Sequence, residues 1–260
     1  MKPALVSIIT PSFNQAAFLE ATIQSVLAQT YPNIEYILID GASDDGSLAI
    51  IKRYQKHFTY WQSNKDAGQT DAINQGLTRA KGKYQAWINA DDILLPNAVE
   101  EAVKYLDQHS ETGLVYGQAD FINASGKIIG QFPAAQTDYK KLMRGYVHVP
   151  QQAAFWRSDL WKKVGPLDQS FFFAMDYDLW VRLAKVSQVN YLARKWAQFR
   201  LHGESKTMIN DMRAWPEMLK VHHREGGRRW SAIWAKYYMR RLLAPLLALR
   251  RRRLTRLMDD

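Results

Sequence analysis

Four carboxylates follow hydrophobic runs in the first hundred residues, at the positions where strands of a buried sheet would end: Asp40, Asp66, Asp91 and Asp92. Ligands bind at the carboxyl ends of strands in open α/β sheets, so we expect these side chains to converge on one rim. Each acid could instead cap the helix that follows it. Adjacent carboxylates repel unless a cation or a donor separates them, so Asp91 and Asp92 favour a ligand site most strongly.

Such a rim has the chemistry to bind a nucleotide together with its metal. Hard divalent cations prefer oxygen ligands, and Mg²⁺ combines one or two carboxylates with substrate phosphates. Carboxylates also accept hydrogen bonds from ribose hydroxyls and base N–H groups. Two commoner phosphate sites are missing from the sequence. No GxGxxG follows the first strand, and the P-loop lookalike from Gly76 to Lys83 has one residue too many between its glycines and is followed by Tyr84.

The first hundred residues alternate between strand and helix periodicity. Strands are predicted at 5–10, 36–39, 58–62 and 84–88, and helices at 15–29, 47–57, 70–80 and 96–108. This alternation predicts right-handed crossovers, and hence an α/β fold with a mainly parallel sheet covered on both faces. Pro96 is expected in the first turn of its helix.

The pattern changes after residue 113. Short strands are predicted at 114–116, 120–122 and 127–132, with a hairpin turn at 123–126. Helices are predicted at 158–163 and 177–185, an extended segment at 196–201 and a helical region at 211–258. We therefore expect a catalytic domain at 1–210 and a basic, aromatic helical extension at 211–260.

Seven segments, in order along the chain, resemble the motifs of family 2 glycosyltransferases. They are VSIITPSFN (6–14), IDGASDDG (39–46), DAGQTDAIN (66–74), NADD (89–92), VPQQ (149–152), MDYDLWVRL (175–183) and FRLH (199–202). The resemblance covers about residues 4–207. It implies the three-layer α/β/α fold called GT-A and nucleotide-diphospho-sugar donors. The likeness is greatest to bacterial enzymes that build O-antigen and other surface polysaccharides.

The resemblance implies roles for individual residues at the nucleotide. Asp40 would recognise the base, usually uracil, and residues 11–14 would pack around it. Asn89 and Asp91 occupy the Asp-x-Asp position, where Asn89 is neutral although many relatives have Asp. The nucleotide-sugar-binding residues so implied are Pro11, Ser12, Asn14, Asp40, Asp66, Gln69, Asn89 and Asp91.

A divalent metal, Mn²⁺ or Mg²⁺, is the cofactor that the resemblance implies. Its ligands would come from Asp91, Asp92 and His202, without a division of ribose and metal contacts between the two acids. His202 would complete the metal site as a neutral imidazole, face the diphosphate as a cation, or be structural. Gln151 and Gln152 fall where relatives line the acceptor pocket, which suits amides because they donate and accept, or they form a solvated loop.

Asp176 matches the catalytic base of the family. It precedes the apolar positions of a predicted helix, and Met175 replaces the Glu often found just before this Asp. Asp176 could instead cap that helix, and Asp178 should point to another side of it. One base that deprotonates the acceptor hydroxyl, with one displacement at the anomeric carbon, implies inversion without a covalent nucleophile.

Composition excludes several classes of protein. The chain has 260 residues, of which 47% are hydrophobic and 23% charged, as in globular proteins and not in disordered chains. It contains no cysteine, so disulfide frameworks, thiolate metal sites and cysteine nucleophiles are excluded. No signal peptide and no membrane-spanning run are recognised, so we expect a cytoplasmic protein at the inner face of the cell membrane.

The net charge of +10 is concentrated near the end of the chain. Residues 220–260 contain twelve Lys or Arg and three Asp or Glu, a net charge of +9. Aromatic residues from Trp230 to Tyr238 recur at helical spacing, and residues 250–253 are all Arg. This combination favours contact with an anionic membrane. Packing on the catalytic domain is the alternative, and nucleic acid is disfavoured because the rest of the chain is nearly neutral.

The leading hypothesis is an inverting, metal-dependent glycosyltransferase that uses a nucleotide-diphospho-sugar, of the UDP type, and a glycan or lipid-linked acceptor. A sugar-phosphate nucleotidyltransferase is a second hypothesis, disfavoured because residues 10–14 lack glycine. An inactive nucleotide-sugar-binding protein is a third, supported only by Asn89 and Met175.

Overall fold

The computed structural model describes residues 3–203 and 213–243. The strands are β1 Val6–Ser12, β2 Ile34–Asp40, β3 Tyr60–Ser63, β4 Tyr84–Trp87, β5 Ile93–Leu94, β6 Thr112–Ile122, β7 Ile128–Gln131, β8 Ala154–Arg157 and β9 Gln188–Arg200. The helices are α1 Ala16–Leu27, α2 Ser47–Tyr54, α3 Gln69–Arg79, α4 Ala98–Gln108, α5 Tyr139–Met143, α6 Ser158–Val164, α7 Met175–Val186 and α8 Ala214–Arg224, followed by a helix at 232–243. The predicted domain boundary near 210 and the basic block at 250–253 lie outside the described residues.

The first half of the sheet is parallel, as predicted. Strands follow the order β3-β2-β1-β4, and each neighbouring pair is parallel. All seven residues of β1 are buried, because this strand lies in the middle of the sheet beneath the crossover helices. The carboxyl ends of β1, β2, β3 and β4 therefore meet at one edge, where the strand ends and the loops that follow them carry the predicted polar residues.

The second half of the sheet is mixed, which the sequence did not predict. β8 pairs antiparallel with both β4 and β6, and β9 runs parallel to β6 and antiparallel to β5. The sequence did not predict β5 or β8. It predicted only the end of β9, as the extended segment at 196–201, and it divided β6 into two strands. Gly117 lies inside β6, where an added Cβ would come within 2.6 Å of the Trp196 ring on β9. The glycine therefore marks a close approach between strands and not a break.

The predicted place of Pro96 in the first turn of its helix is wrong. Pro96 lies in the turn before α4, which begins at Ala98, and its carbonyl accepts a hydrogen bond from Thr30 N. The glycines of the P-loop lookalike serve packing. A Cβ on Gly76 would lie 2.4 Å from Ile9 Cγ2, and one on Gly82 would lie 2.6 Å from Ser7 N. Gly76 thus lets α3 approach β1 closely.

The last described helices pack on the same core as the sheet. Trp215 and Ile233 are buried members of the main hydrophobic cluster, and Trp234 and Tyr237 pack against it. Trp230, in contrast, is 99% exposed. Within residues 3–203 and 213–243, no helix is both long and apolar enough to cross a bilayer.

Candidate active site

One large cavity opens at the carboxyl edge of the parallel strands, with a volume of about 1330 Å³. Nine predicted site residues line it: Pro11, Ser12, Asp66, Gln69, Asn89, Asp91, Gln151, Gln152 and Asp176. Four others do not: Asn14, Asp40, Asp92 and His202. The strand ends therefore converge on one rim, as predicted, although these four side chains do not line the cavity.

The structure separates Asp91 from Asp92. Asp91 lines the cavity, and its Oδ2 lies 3.1 Å from His202 Nε2. Asp92 is fully buried, where its carboxylate accepts hydrogen bonds from Arg200 N at 2.9 Å and Asn89 Nδ2 at 3.2 Å. Burial, with the neighbouring charge of Asp91, raises the pKa of Asp92 well above its usual range. Asp92 therefore belongs to the interior, and the predicted metal ligands reduce to Asp91 and His202.

His202 is held in place from two sides. Its ring lies 4.7 Å from the Phe18 ring between centroids, and its Nε2 faces Asp91. Mn²⁺ accepts both imidazole nitrogen and carboxylate oxygen as ligands. Among the described residues, no group of three or more His, Cys, Asp or Glu side chains could hold a metal. The two groups fit a site in which substrate phosphates supply the remaining ligands, as Mg²⁺ sites commonly do.

The neutral residue at position 89 is explained by its partners. Asn89 Oδ1 accepts from Gln69 Nε2 at 2.8 Å, while its Nδ2 donates to Asp92 and to Gln151 Oε1. An Asp at this position would place a second carboxylate against buried Asp92 and could not donate to Gln151. Gln151 continues the chain of amides by donating to Trp87 O at 2.6 Å. These amides form a fixed floor under the cavity.

Gln151 and Gln152 do not form a solvated loop. Both side chains lie in a buried 3₁₀ turn, and a hydrogen bond from Gln152 favours the ionised form of Asp92. Their predicted contact with the acceptor stays a prediction, since their amides also hold the floor together.

Asp40 and Asp66 have different surroundings. Asp40 is fully buried and accepts hydrogen bonds from Ser43 N, Ser43 Oγ and Ser63 Oγ at 2.5–3.0 Å. Asp66 lines the cavity and accepts from Gly68 N at 2.8 Å. Partial burial raises the pKa of Asp66, and the charges of Asp71 and Asp40 raise it further. The carboxylate that faces the cavity is therefore that of Asp66, whereas Asp40 braces the turn after β2.

Asn14 also braces that turn and does not face the cavity. Its backbone adopts φ of +51°, a left-handed conformation that Asn tolerates better than most residues. Its N–H donates to Ser43 Oγ, and its Oδ1 accepts from Asp44 N. The residue beside it, Phe13, is 61% exposed and lines the cavity. The motif thus ties the β1 and β2 loops together and presents an aromatic ring to the ligand.

Asp176 is the second residue of α7 and lines the cavity. It does not cap the helix, because Ala174 is the N-cap residue. Its Oδ1 lies near Tyr177 N at 2.6 Å, and the positive end of the helix dipole stabilises its charge. Asp178 points to another side, as predicted, and is buried in ion pairs with Arg182 and Arg224.

Glu217 is a residue that the sequence analysis missed. It belongs to α8, and its carboxylate accepts hydrogen bonds from three consecutive backbone N–H groups before α7: Phe172 at 3.1 Å, Phe173 at 2.7 Å and Ala174 at 2.8 Å. It thereby fixes the loop that leads into Asp176. No local signal reveals this, because the partners are more than forty residues apart in sequence.

Comparison with known proteins identifies the family of the chain. Residues 7–162 match the family described as glycosyl transferase family 2. An uncharacterized glycosyltransferase of Mycobacterium tuberculosis, Rv1514c, is 34% identical over 87% of this chain and 88% of its own length. Another, RT0329 of Rickettsia typhi, is 30% identical over 78% of this chain and 66% of its own length.

Two solved structures share the fold. S. aureus TarS 1–349 in complex with UDP superimposes with a TM-score of 0.69 at 15% identity, covering 91% of this chain and 71% of that one. The mannosyltransferase PcManGT of Pyrobaculum calidifontis, in complex with GDP-Man and Mn²⁺, gives 0.66 at 17% identity, covering 92% and 70%. These likenesses confirm the predicted α/β fold of the GT-A type. Together with the sequence matches, they show that the chain is a glycosyltransferase and belongs to glycosyl transferase family 2.

Proposed function

We propose that the cavity binds a nucleotide-diphospho-sugar, of the UDP type, and transfers its sugar with inversion to an acceptor hydroxyl. The observation that carries this proposal is that Asp66, Asp91 and Asp176 line one continuous cavity. These three carboxylates match the requirements for a nucleotide contact, a diphosphate–metal contact and a general base. An inactive binding protein would not need a carboxylate at the third position.

Each substrate group has a candidate partner. Asp66 accepts a hydrogen bond from an N–H of the base. It does so in place of Asp40, whose carboxylate oxygens already accept hydrogen bonds from Ser43 and Ser63. Pro11, Ser12 and the Phe13 ring flank the base, and Gln69 with Asn89 lies beneath the sugar. Asp91 and His202 hold the divalent metal, which would neutralise charge on the diphosphate when bound.

The transfer step needs one base and one displacement. Asp176 takes the proton of the acceptor hydroxyl while that oxygen forms a bond to the anomeric carbon from the face opposite the nucleotide. The bond from the anomeric carbon to the phosphate oxygen breaks with its electron pair, and the nucleoside diphosphate leaves. A single displacement inverts the configuration at the anomeric carbon.

The acceptor and the setting are proposed from the family resemblance and from the exposed surface near the last described helix. We place the reaction in surface polysaccharide synthesis, on a glycan or lipid-linked acceptor, and propose peripheral contact with an anionic membrane. The exposed Trp230 and Leu242, together with Arg228, Arg229 and Arg241, support that contact. Co-sedimentation with anionic vesicles at low salt tests it, with neutral vesicles as the control, and no enrichment over neutral vesicles contradicts it.

A panel of nucleotide-sugars tests the function. UDP-, GDP- and dTDP-sugars are titrated against the protein with Mn²⁺ or Mg²⁺, and slow donor hydrolysis is followed. We expect one nucleotide class to bind and to be hydrolysed, and Asp176→Asn to bind it without hydrolysis. Absence of any nucleotide binding contradicts the proposal, and binding without turnover by the wild type identifies an inactive binding protein.

A further inference from the structure

The cavity has two chemically different parts. Single-ligand pockets have volumes of about 300–1,000 Å³, and a volume of about 1330 Å³ leaves room for two substrates. The polar floor is formed by Asp66, Asn89 and Asp91 after the strand ends and by Asp176 at the start of α7, with the amides beside them. The other part, here called the apolar wall, consists of Tyr146, Val147, Phe172, Trp215, Met218 and Met239.

The apolar wall is held in place by the C-terminal helices. Gly145, at φ of +74°, lies so close to Ile233 that a Cβ there would come within 2.9 Å of its side chain. Glu217 holds the backbone of Phe172 and Phe173, as described above. Trp215 is part of the buried core. These contacts within the chain position the wall.

Much of the wall is open to solvent. Phe172 and Met239 are each 56% exposed, and Tyr146 and Val147 are each 40% exposed. The apolar surface continues along the helix at 232–243 to Leu242, which is 80% exposed. Clustered exposed apolar side chains of this kind mark a binding surface, since they are unfavourable in water.

Two cations lie within this apolar surface. Lys236 and Arg240 both line the cavity, one turn apart on the helix at 232–243. Lys236 Nζ lies 3.0 Å from the centroid of the Tyr146 ring and donates to Arg144 O, and the Arg240 guanidinium lies 5.4 Å from the Trp215 ring centroid. Apolar side chains around two positive charges complement a phosphate that is attached to an apolar chain. A neutral glycan has no anionic group to pair with Lys236 and Arg240.

We infer that the acceptor is a sugar linked through phosphate to an apolar chain, that the chain lies on the apolar wall, and that Lys236 and Arg240 bind the phosphate. The acceptor hydroxyl then points towards Asp176 at the border between wall and floor. This inference rests on the proposed function, because it names the acceptor class for the same site.

Calorimetric titration with farnesyl phosphate tests this inference on the full chain, with farnesol and inorganic phosphate as the two partial probes. Titrations are run with and without the nucleotide that the donor panel identifies. We expect farnesyl phosphate to bind at least roughly tenfold more tightly than either partial probe, and the nucleotide not to displace it. The variant Lys236→Ala/Arg240→Ala should lose about tenfold in affinity for farnesyl phosphate and little for farnesol.

The matched control is Lys162→Ala/Lys163→Ala, which removes the same charge from exposed positions on α6 that do not line the cavity. It should keep the wild-type affinity. Should the first double variant lose its melting transition, Lys236→Gln and Arg240→Gln are tested singly. The inference is overturned if farnesyl phosphate binds no better than inorganic phosphate, if both double variants behave alike, or if nucleotide displaces the probe. A failed donor panel with intact farnesyl phosphate binding would overturn the proposed function alone.

Discussion

The polar floor and the apolar wall of the cavity differ in how the sequence encodes them. Most of the floor comes from the loops after the parallel strands β3 and β4 and from the 3₁₀ turn at Gln151–Ala153, within the matched residues 7–162, whereas Asp176 comes from α7. Most of the wall comes from later segments, which are brought to the cavity by packing between helices far apart in sequence. The polar floor can thus be read from local motifs, whereas the proposed surface for the second substrate depends on tertiary contacts.

The largest effect is expected at the border between these regions. Asp176→Asn should lower the rate of transfer by about 10²–10⁴-fold, because a general base acts only in the transition state. Nucleotide affinity should stay within about twofold, since the charge of Asp176 serves the acceptor side. Initial rates and calorimetry on the same preparation measure both. Retention of more than about a tenth of the wild-type rate would mean that another group is the base.

Variants of Asp91 and Asp92 test whether one of these neighbouring acids contacts the ligand while the other stabilises the fold. Asp91→Ala should weaken metal-dependent nucleotide binding by about tenfold or more and leave the melting temperature nearly unchanged. Asp92→Ala should do the reverse, since it leaves Arg200 N and Asn89 Nδ2 without their acceptor, at a cost of about 2–4 kcal/mol. Calorimetry and thermal unfolding of the two variants make the comparison. Equal losses of stability would show that Asp91 is structural too.

The variant Glu217→Gln tests whether a contact from α8 controls the rate of transfer at Asp176. Glu217→Gln keeps the shape of the side chain but provides only one accepting oxygen for three N–H groups, so the loop before Asp176 should loosen. We expect transfer to slow by roughly tenfold in kcat, with donor KM little changed. Glu225→Gln is the matched control, because it removes the same charge beside α8 and weakens ion pairs with Lys185 and Arg224, without touching the loop before Asp176. A general loss of stability without a change in kcat would make Glu217 merely structural.

A smaller effect concerns pH and Asp66. Burial raises the pKa of this carboxyl in the folded state, so the folded protein binds the proton more tightly than the unfolded chain does. The associated stability is present below the unfolded pKa of about 4 and is lost as pH rises through the folded pKa. In Asp66→Ala this dependence should disappear, while nucleotide binding weakens. Unfolding by urea at several pH values measures the difference, and parallel pH profiles of the two proteins would contradict it.

The sequence predicted the strands and helices of the first half to within a few residues, because buried β-branched runs and amphipathic helices alternate there. It did not predict β8 or most of β9, since their pairing with β4, β5 and β6 is long-range and β9 is only partly buried. The family resemblance located the carboxylates. It did not reveal that the side chains of Asp40 and Asp92 are buried in the protein interior. The direction of a side chain at a strand end depends on neighbours such as Ser63 and Arg200.

The central claim is that the floor binds the nucleotide and the wall binds the acceptor, and calorimetric titration of UDP and GDP tests it most directly. Three proteins are compared: the wild type, Asp91→Ala in the floor and Lys236→Ala/Arg240→Ala in the wall. The account predicts that the floor variant loses about tenfold or more in nucleotide affinity and that the wall variant changes by less than about twofold. Equal losses in both variants, or no nucleotide binding by the wild type, would contradict it.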